Sequence, residues 1–217
     1  MNLEELVKEL KAVAKPDDAV AMKAYMKNKF DFLGVKTPAR RKFAKAFFKQ
    51  QTDSVIDWDF INEAWNNPYR ESQYIALDYL EIRKKLLTPS DLPRLKKLAQ
   101  TKSWWDTIDF LDRLVGTIIA RFPETKEIIL VWSRDEDIWL RRLAIDHQLL
   151  RKEETDTELL EKILVNNLGQ TEFFINKAIG WALRDYSKTN PDWVRDFIER
   201  HQAEMAALSI REGSKYL

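Results

Sequence analysis

Five glycines and seven prolines are spread over 217 residues, and this scarcity of chain breakers limits what the chain can become. Strands and tight turns need frequent punctuation, so a chain so poor in both residues favours long helices joined by short connections. Apolar residues recur at helical spacing through most of the sequence and no strand run is convincing. The fold class expected is all-α.

Stops and starts divide the pattern. Residues 2–14 and 17–28 read as helices parted by Pro16 and Asp17. The connection FDFLGVKT follows, with Gly34 for a turn, Thr37 as N-cap and Pro38 opening a helix that runs to about Gln51. Helices are expected next over 54–65, 69–86 and 94–100, with TPSDLP as the break between the last two. Others follow over 103–122, capped by Ser103, and from Pro123 through Trp132, then over 136–152, 157–167, 171–188, 191–201 and 203–212. Many of these pair off in units of roughly 35–45 residues, which suggests a superhelical solenoid of HEAT-like repeats spanning residues 1–217 as a single domain. A compact irregular bundle is the alternative. In a solenoid, one helix of each pair lines a concave side where extended partners bind.

Several chemistries drop out on composition. There is no cysteine, which removes disulfides, thiolate nucleophiles and cysteine-ligated metal centres. His147 and His201 are the only histidines, with no paired spacing, and no acidic calcium loop is present, so neither metal nor cofactor is expected. The amphipathic N-terminus carries acids and bases alike, and no apolar run has signal-peptide or membrane-spanning length. A soluble, cytoplasmic, monomeric protein without membrane contact is expected. With a net charge of +1, affinity for nucleic acid must come from local segregation of charge.

Such segregation occurs in three places. The helix from Pro38 sets Arg40, Arg41, Lys42, Lys45 and Lys49 against Phe43, Phe47 and Phe48, a wet basic face that is either solvated decoration or a phosphate-facing surface. Helix 171–188 aligns Lys177, Trp181, Arg184 and Lys188 on one face. A tryptophan in line with three cations is a poor core stripe and a good surface for phosphates and a base or sugar edge. The helix from Asp137 aligns Trp139, Arg142 and Asp146, where an Arg142–Asp146 surface ion pair and a place in a binding site are compatible readings.

The segment KSWWDTID at 102–109 adds the carboxylate. Trp105 and Asp109 share a helix face apart from the apolar stripe of Ile108, Leu111, Val115, Ile118 and Phe122. Judged alone, they read as a packing tryptophan and a helix-start acid. Three helices, however, present Trp followed three or four residues later by a charge: Trp105 with Asp109, Trp139 with Arg142, Trp181 with Arg184. On one concave surface they would form a basic, aromatic-walled cleft with a single exposed carboxylate. Trp104 and Asp106 then read as packing and helix-start residues.

These segments, YMKNKFDFLGVKTPARR at 25–41, KSWWDTID at 102–109, IWLRRLAI at 138–145 and KAIGWALRDYSKTNP at 177–191, resemble the AlkD family of DNA alkylation repair glycosylases over essentially the whole chain. The resemblance implies a HEAT-like fold on duplex DNA containing alkylated purines. Asp109 would be the catalytic carboxylate, Trp105 and Trp181 its aromatic pair, and Arg142 the arginine beside them. Tyr25 matches the tyrosine of the first motif, and Lys177, Arg184, Lys188, Arg40 and Arg41 would serve DNA binding. A carboxylate of ordinary pKa would be ionised at neutral pH. The enzyme expected is a monofunctional glycosylase releasing positively charged N3- and N7-alkylpurines. The alternative is a non-catalytic HEAT-like module that binds DNA or protein.

Overall fold

The computed structural model describes residues 2–49 and 54–217. Among the described residues there are thirteen α-helices, four single-turn 3-10 helices and no strand beyond an isolated bridge between Asp31 and Tyr69. None of these helices is long and apolar enough to cross a membrane. The chain divides into two compact units, one ending at Leu87 and the other starting at Thr88.

The first unit contains α1 (Leu3–Ala12), α2 (Pro16–Tyr25), α3 (Thr37–Lys49), α4 (Trp58–Asn66) and α5 (Arg70–Ile82). Helix α1 buries Leu3, Leu6, Val7 and Leu10 against α3 and α4, which in turn pack with α5. Phe48, Phe60 and Tyr79 interlock at the centre with ring centroids 5.2–5.8 Å apart, a spacing that favours edge and tilted contacts. The end expected for α3 near Gln51 lies outside the described residues.

Between α2 and α3 the chain is tied down by a buried acid. Glu71 is fully enclosed and accepts hydrogen bonds from the backbone N–H groups of Leu33, Gly34 and Val35 at 2.9–3.1 Å. Gly34 is required there, because its φ of +89° is left-handed and a Cβ would stand 2.1 Å from the Lys15 carbonyl oxygen. Arg40 does not lie on the wet side of α3. It is 5% exposed, and its Nε donates to Asp78 Oδ2 at 3.0 Å, because that carboxylate, 38 residues further on, faces it from α5. Arg41 reaches the other oxygen of Asp78 at 3.3 Å from an exposed position.

The second unit contains α6 (Leu92–Ala99), α7 (Trp105–Arg121), α8 (Lys126–Trp132), α9 (Ile138–Asp146), α10 (Thr157–Val165), α11 (Phe173–Ser187), α12 (Pro191–His201) and α13 (Ala207–Gly213). Helices α7, α9, α11 and α13 pack in succession, and α6, α8, α10 and α12 each pack against members of this series. The α7 stripe of Ile108, Leu111, Val115 and Ile118 is fully buried in this interior. Polar links repeat at one spacing: Lys96 to Asp135, Asn167 to Ser133, Leu150 to Asp185 and Ser209 to Asn176 join residues 33–39 apart. That interval is the repeat length, and the arrangement is a stack of helical repeats and not an irregular bundle.

Candidate active site

The candidate side chains of the second unit come from α7, α9 and α11, with Lys188 at the C-cap of α11. Helix α7 starts at Trp105, a residue later than a Ser103 cap would set it. Ser103 instead donates its hydroxyl back to the Ala99 carbonyl at 2.6 Å, and Trp104 occupies the N-cap position. The Trp104 ring packs with Trp139 and Phe174, all centroid distances lying between 4.9 and 5.5 Å. Trp139 therefore belongs to a packing cluster that fixes the start of α7 against α9 and α11. Trp105 is half-buried, one turn before Asp109.

Asp109 is held from below by Arg142. The guanidinium donates through Nε to Oδ1 at 2.7 Å and through Nη2 to Oδ2 at 2.9 Å, while Nη1 donates to the Phe174 carbonyl at 2.7 Å. This fork-to-fork geometry is the strongest pairing available to an arginine and a carboxylate. The Arg142 side chain is 2% exposed and that of Asp109 19%, so Arg142 is structure beneath the site and Asp109 its accessible face. The ion pair with Asp146 forms as a long, buried contact and not as a surface one. Both residues are buried and their nearest charged atoms stand 3.9 Å apart.

The carboxylate is not alone. Oxygens of Asp109, Asp112 and Asp146 lie within 4.8 Å of one another, and the guanidinium of Arg142 is the cation among them. Asp112 and Asp146 are each 1% exposed, and no described residue hydrogen-bonds to any of their carboxyl oxygens. Burial, then the charges of Asp146 and Asp109, push the Asp112 carboxyl well up. Burial pushes Asp146 up to about 8 against the pull of Arg142. Asp109 is also raised, by burial, with Arg142 opposing. The ordinary carboxylate expected from the sequence is thus replaced by an acid whose charge depends on its arginine.

One consequence can be measured directly. The folded pKa of Asp146 lies above its unfolded value, so its contribution to stability is complete below the unfolded pKa and is lost as pH rises through about 8. Asp146→Asn keeps the shape of the neutral acid and removes the titration. Urea unfolding of the wild type at a series of pH values between about 5 and 9 should show stability falling, by on the order of 1 kcal/mol per pH unit at most. The variant should show a shallower fall, and parallel curves would place the proton elsewhere.

Above Asp109 opens a cavity of about 240 Å³ lined by Asp109, Asp112, Arg113, Leu149, Leu150, Trp181, Arg184, Asp185 and Lys188. Four residues singled out in the sequence meet here. Trp181 is half-buried, and its ring lies 5.3 Å from the Arg142 guanidinium, 5.9 Å from Lys177 Nζ and 5.9 Å from the Arg184 guanidinium. Lys177 flanks Trp181 without lining the cavity. Tyr25, 68% exposed at the end of α2, stands with Arg40 and Arg41 in the first unit.

Sequence reasoning missed Asp112, Leu150 and Glu212. Asp112 lies one turn beyond Asp109 on the same helix face, a signal that could have found it. Leu150 sits at the cavity in the left-handed region, φ +67°, with its N–H donated to Asp185 at 2.7 Å. Such a backbone is uncommon for a residue with a side chain. Glu212 binds Lys177 at 2.8 Å and Arg184 at 2.9 Å. Two of the cations expected to face phosphate are therefore shared with one carboxylate.

Comparison with known proteins follows the same lines. The protein family described as DNA alkylation repair enzyme matches residues 6–217. A protein from Enterococcus faecalis described as a predicted DNA alkylation repair enzyme is 34% identical, with a TM-score of 0.86 over 94% of this chain and 96% of that one. AlkD2 from Streptococcus mutans is 17% identical, with a TM-score of 0.62 over 90% of this chain and 99% of that one. The protein smu.31 from Streptococcus mutans UA159, also 17% identical, gives a TM-score of 0.58 over 82% of this chain and 91% of that one. These last two share the fold. No curated protein sequence matches.

Proposed function

Since this chain belongs to the family of DNA alkylation repair enzymes, we propose that it is a monofunctional glycosylase hydrolysing the N-glycosidic bond of positively charged N3- and N7-alkylpurines in duplex DNA. The observation that carries this reading is a carboxylate fixed by an arginine at the floor of a small cavity with an indole at its side.

Alkylation at N3 or N7 makes the purine cationic, so the base can leave without an acid to protonate it. As the bond from C1′ to the purine nitrogen breaks, its electron pair neutralises the departing base and positive charge builds on the deoxyribose. Asp109, its charged form supported by Arg142 against burial, stabilises that oxocarbenium character and orients the water that attacks C1′, whose proton passes to solvent. The products are a neutral alkylpurine and an abasic site. The indoles of Trp181 and Trp105 favour the cationic species over an undamaged nucleotide through cation–π attraction of about 0.5–2 kcal/mol. Neutral lesions lack that attraction and the weakened bond, so uracil and O6-alkylguanine are not substrates.

Lys177 Nζ lies 5.9 Å from the Trp181 ring, and an amine could open a lyase pathway. Its ammonium is engaged by Glu212 at 2.8 Å, which leaves no lone pair poised for attack and favours hydrolysis alone. Lys188, exposed at the cavity rim, is the cation of this group available to phosphate.

The test is release of free base from duplex DNA treated with a methylating agent. N7-methylguanine or N3-methyladenine should appear with heat-labile abasic sites and no enzyme-dependent strand cleavage. Binding of the duplex without base release would sink the enzymatic reading and leave a non-catalytic DNA-binding module.

A further inference from the structure

Glu212 stands where a cation-selecting surface has its difficulty. Three positive groups, on Arg142, Lys177 and Arg184, lie within 5.9 Å of the Trp181 ring. Arg142 is matched by Asp109. The other two, left alone, would repel a cationic base at the indole and would hold any phosphate backbone with or without damage.

Helix α13 is seated to prevent this. A Cβ on Gly180 of α11 would lie 2.5 Å from Glu212 Cβ, so the two backbones approach as only a glycine allows. Gly213 packs similarly on Leu183, where a Cβ would meet Leu183 Cβ at 3.0 Å, and Ser209, fully buried, donates to the Asn176 carbonyl at 2.8 Å. The seating lays the Glu212 side chain along the Lys177, Trp181, Arg184 face. Oε1 accepts from Lys177 at 2.8 Å and Oε2 from Arg184 Nη1 at 2.9 Å, so one carboxylate spans the indole and spends one oxygen on each flanking cation. The glutamate is 16% exposed, and its hydrogen bond with Lys177, ahead of its other neighbours, holds it below the ordinary carboxylate range.

We propose that Glu212 is a specificity residue: by masking Lys177 and Arg184 it lowers the attraction of the Trp181 face for undamaged DNA and removes the repulsion that a cationic base would meet there. The inference rests on the glycosylase reading for its second half, and on the ion pairs alone for its first.

Glu212→Gln keeps the volume and the Cβ contact with Gly180 while removing the charge. Compared with the wild type, it should bind undamaged duplex about tenfold more tightly at moderate salt. Its plot of log affinity against log salt should steepen by about one to two, at roughly 0.9 for each cation freed to a phosphate. Single-turnover release of N7-methylguanine should slow about three- to tenfold in the same protein, as expected for one added repulsion in a partly screened site. Lys177→Gln combined with Glu212→Gln restores the charge balance and should return both quantities toward wild type. Tighter binding with slower release is the signature, since a merely damaged site loses both together. An unchanged salt slope, or binding and release falling in parallel, overturns the proposal. If the wild type releases no base, the glycosylase reading fails, and the salt slope alone decides whether Glu212 masks its cations.

Discussion

Asp109→Asn should reduce single-turnover release of N7-methylguanine from methylated duplex by at least about a hundredfold, the scale on which one preorganised electrostatic partner of a transition state is felt. Asparagine retains the shape of the side chain and one oxygen for Arg142, so the loss would come from charge. Duplex affinity should change little, because Asp109 is the floor of the cavity and the basic groups at its rim remain. A second effect follows from the acid cluster. The Asp109 charge is one of the influences holding Asp146 up, and its removal leaves Arg142 facing Asp146 at 3.9 Å. The Asp146 carboxyl should therefore ionise at lower pH in the variant, and its share of the fall of stability should be smaller and end at lower pH. Unchanged base release would take Asp109 out of the chemistry altogether.

Arg142→Ala should be costly in two ways. Breaking a buried ion pair by deleting one partner typically destabilises by about 3–5 kcal/mol, and here three acids lose the cation that stands among them. Urea titration should register a loss on that scale. Burial already raises Asp109, with Arg142 as the chief opposing influence, so without the arginine the carboxylate should ionise only at higher pH. Release by the folded variant should accordingly be weakest at acidic pH and recover partly as pH rises. Asp109→Asn in the Arg142→Ala background should recover stability without recovering release. That combination separates the arginine's structural task from its effect on the charge of Asp109. Equal losses at every pH would mean that Arg142 acts through position alone.

The helices were legible because their signals are local. Pro16, Pro38, Pro89, Pro123 and Pro191 each stand at or near a helix start, and the buried stripe of α7 follows its heptad-like spacing. The partners of charged side chains were not legible, because they are set one repeat away. Within its own helix Arg142 reads as the partner of Asp146, four residues on. Stacking turns that face toward α7 and gives it Asp109, 33 residues back. Arg40 sits in a basic run and reads as wet until Asp78 closes on it from 38 residues away. Lys177 and Arg184 read as free until α13 delivers Glu212. Helical periodicity reports which side of a helix a residue occupies, and the facing helix decides whether that side is water.

Arg142 grips Asp109 in the preceding repeat and the Phe174 carbonyl in the following one. In a stack where each repeat touches only its neighbours, opening is ordinarily local and can begin at any point. A single side chain stapled across three repeats removes that freedom in the middle of the second unit. Backbone amides of α7, α9 and the first turn of α11 should exchange with solvent as one cooperative block. The site would then double as the lock on its own scaffold, and any variant that loosens the staple should show its effect first as faster exchange across all three helices.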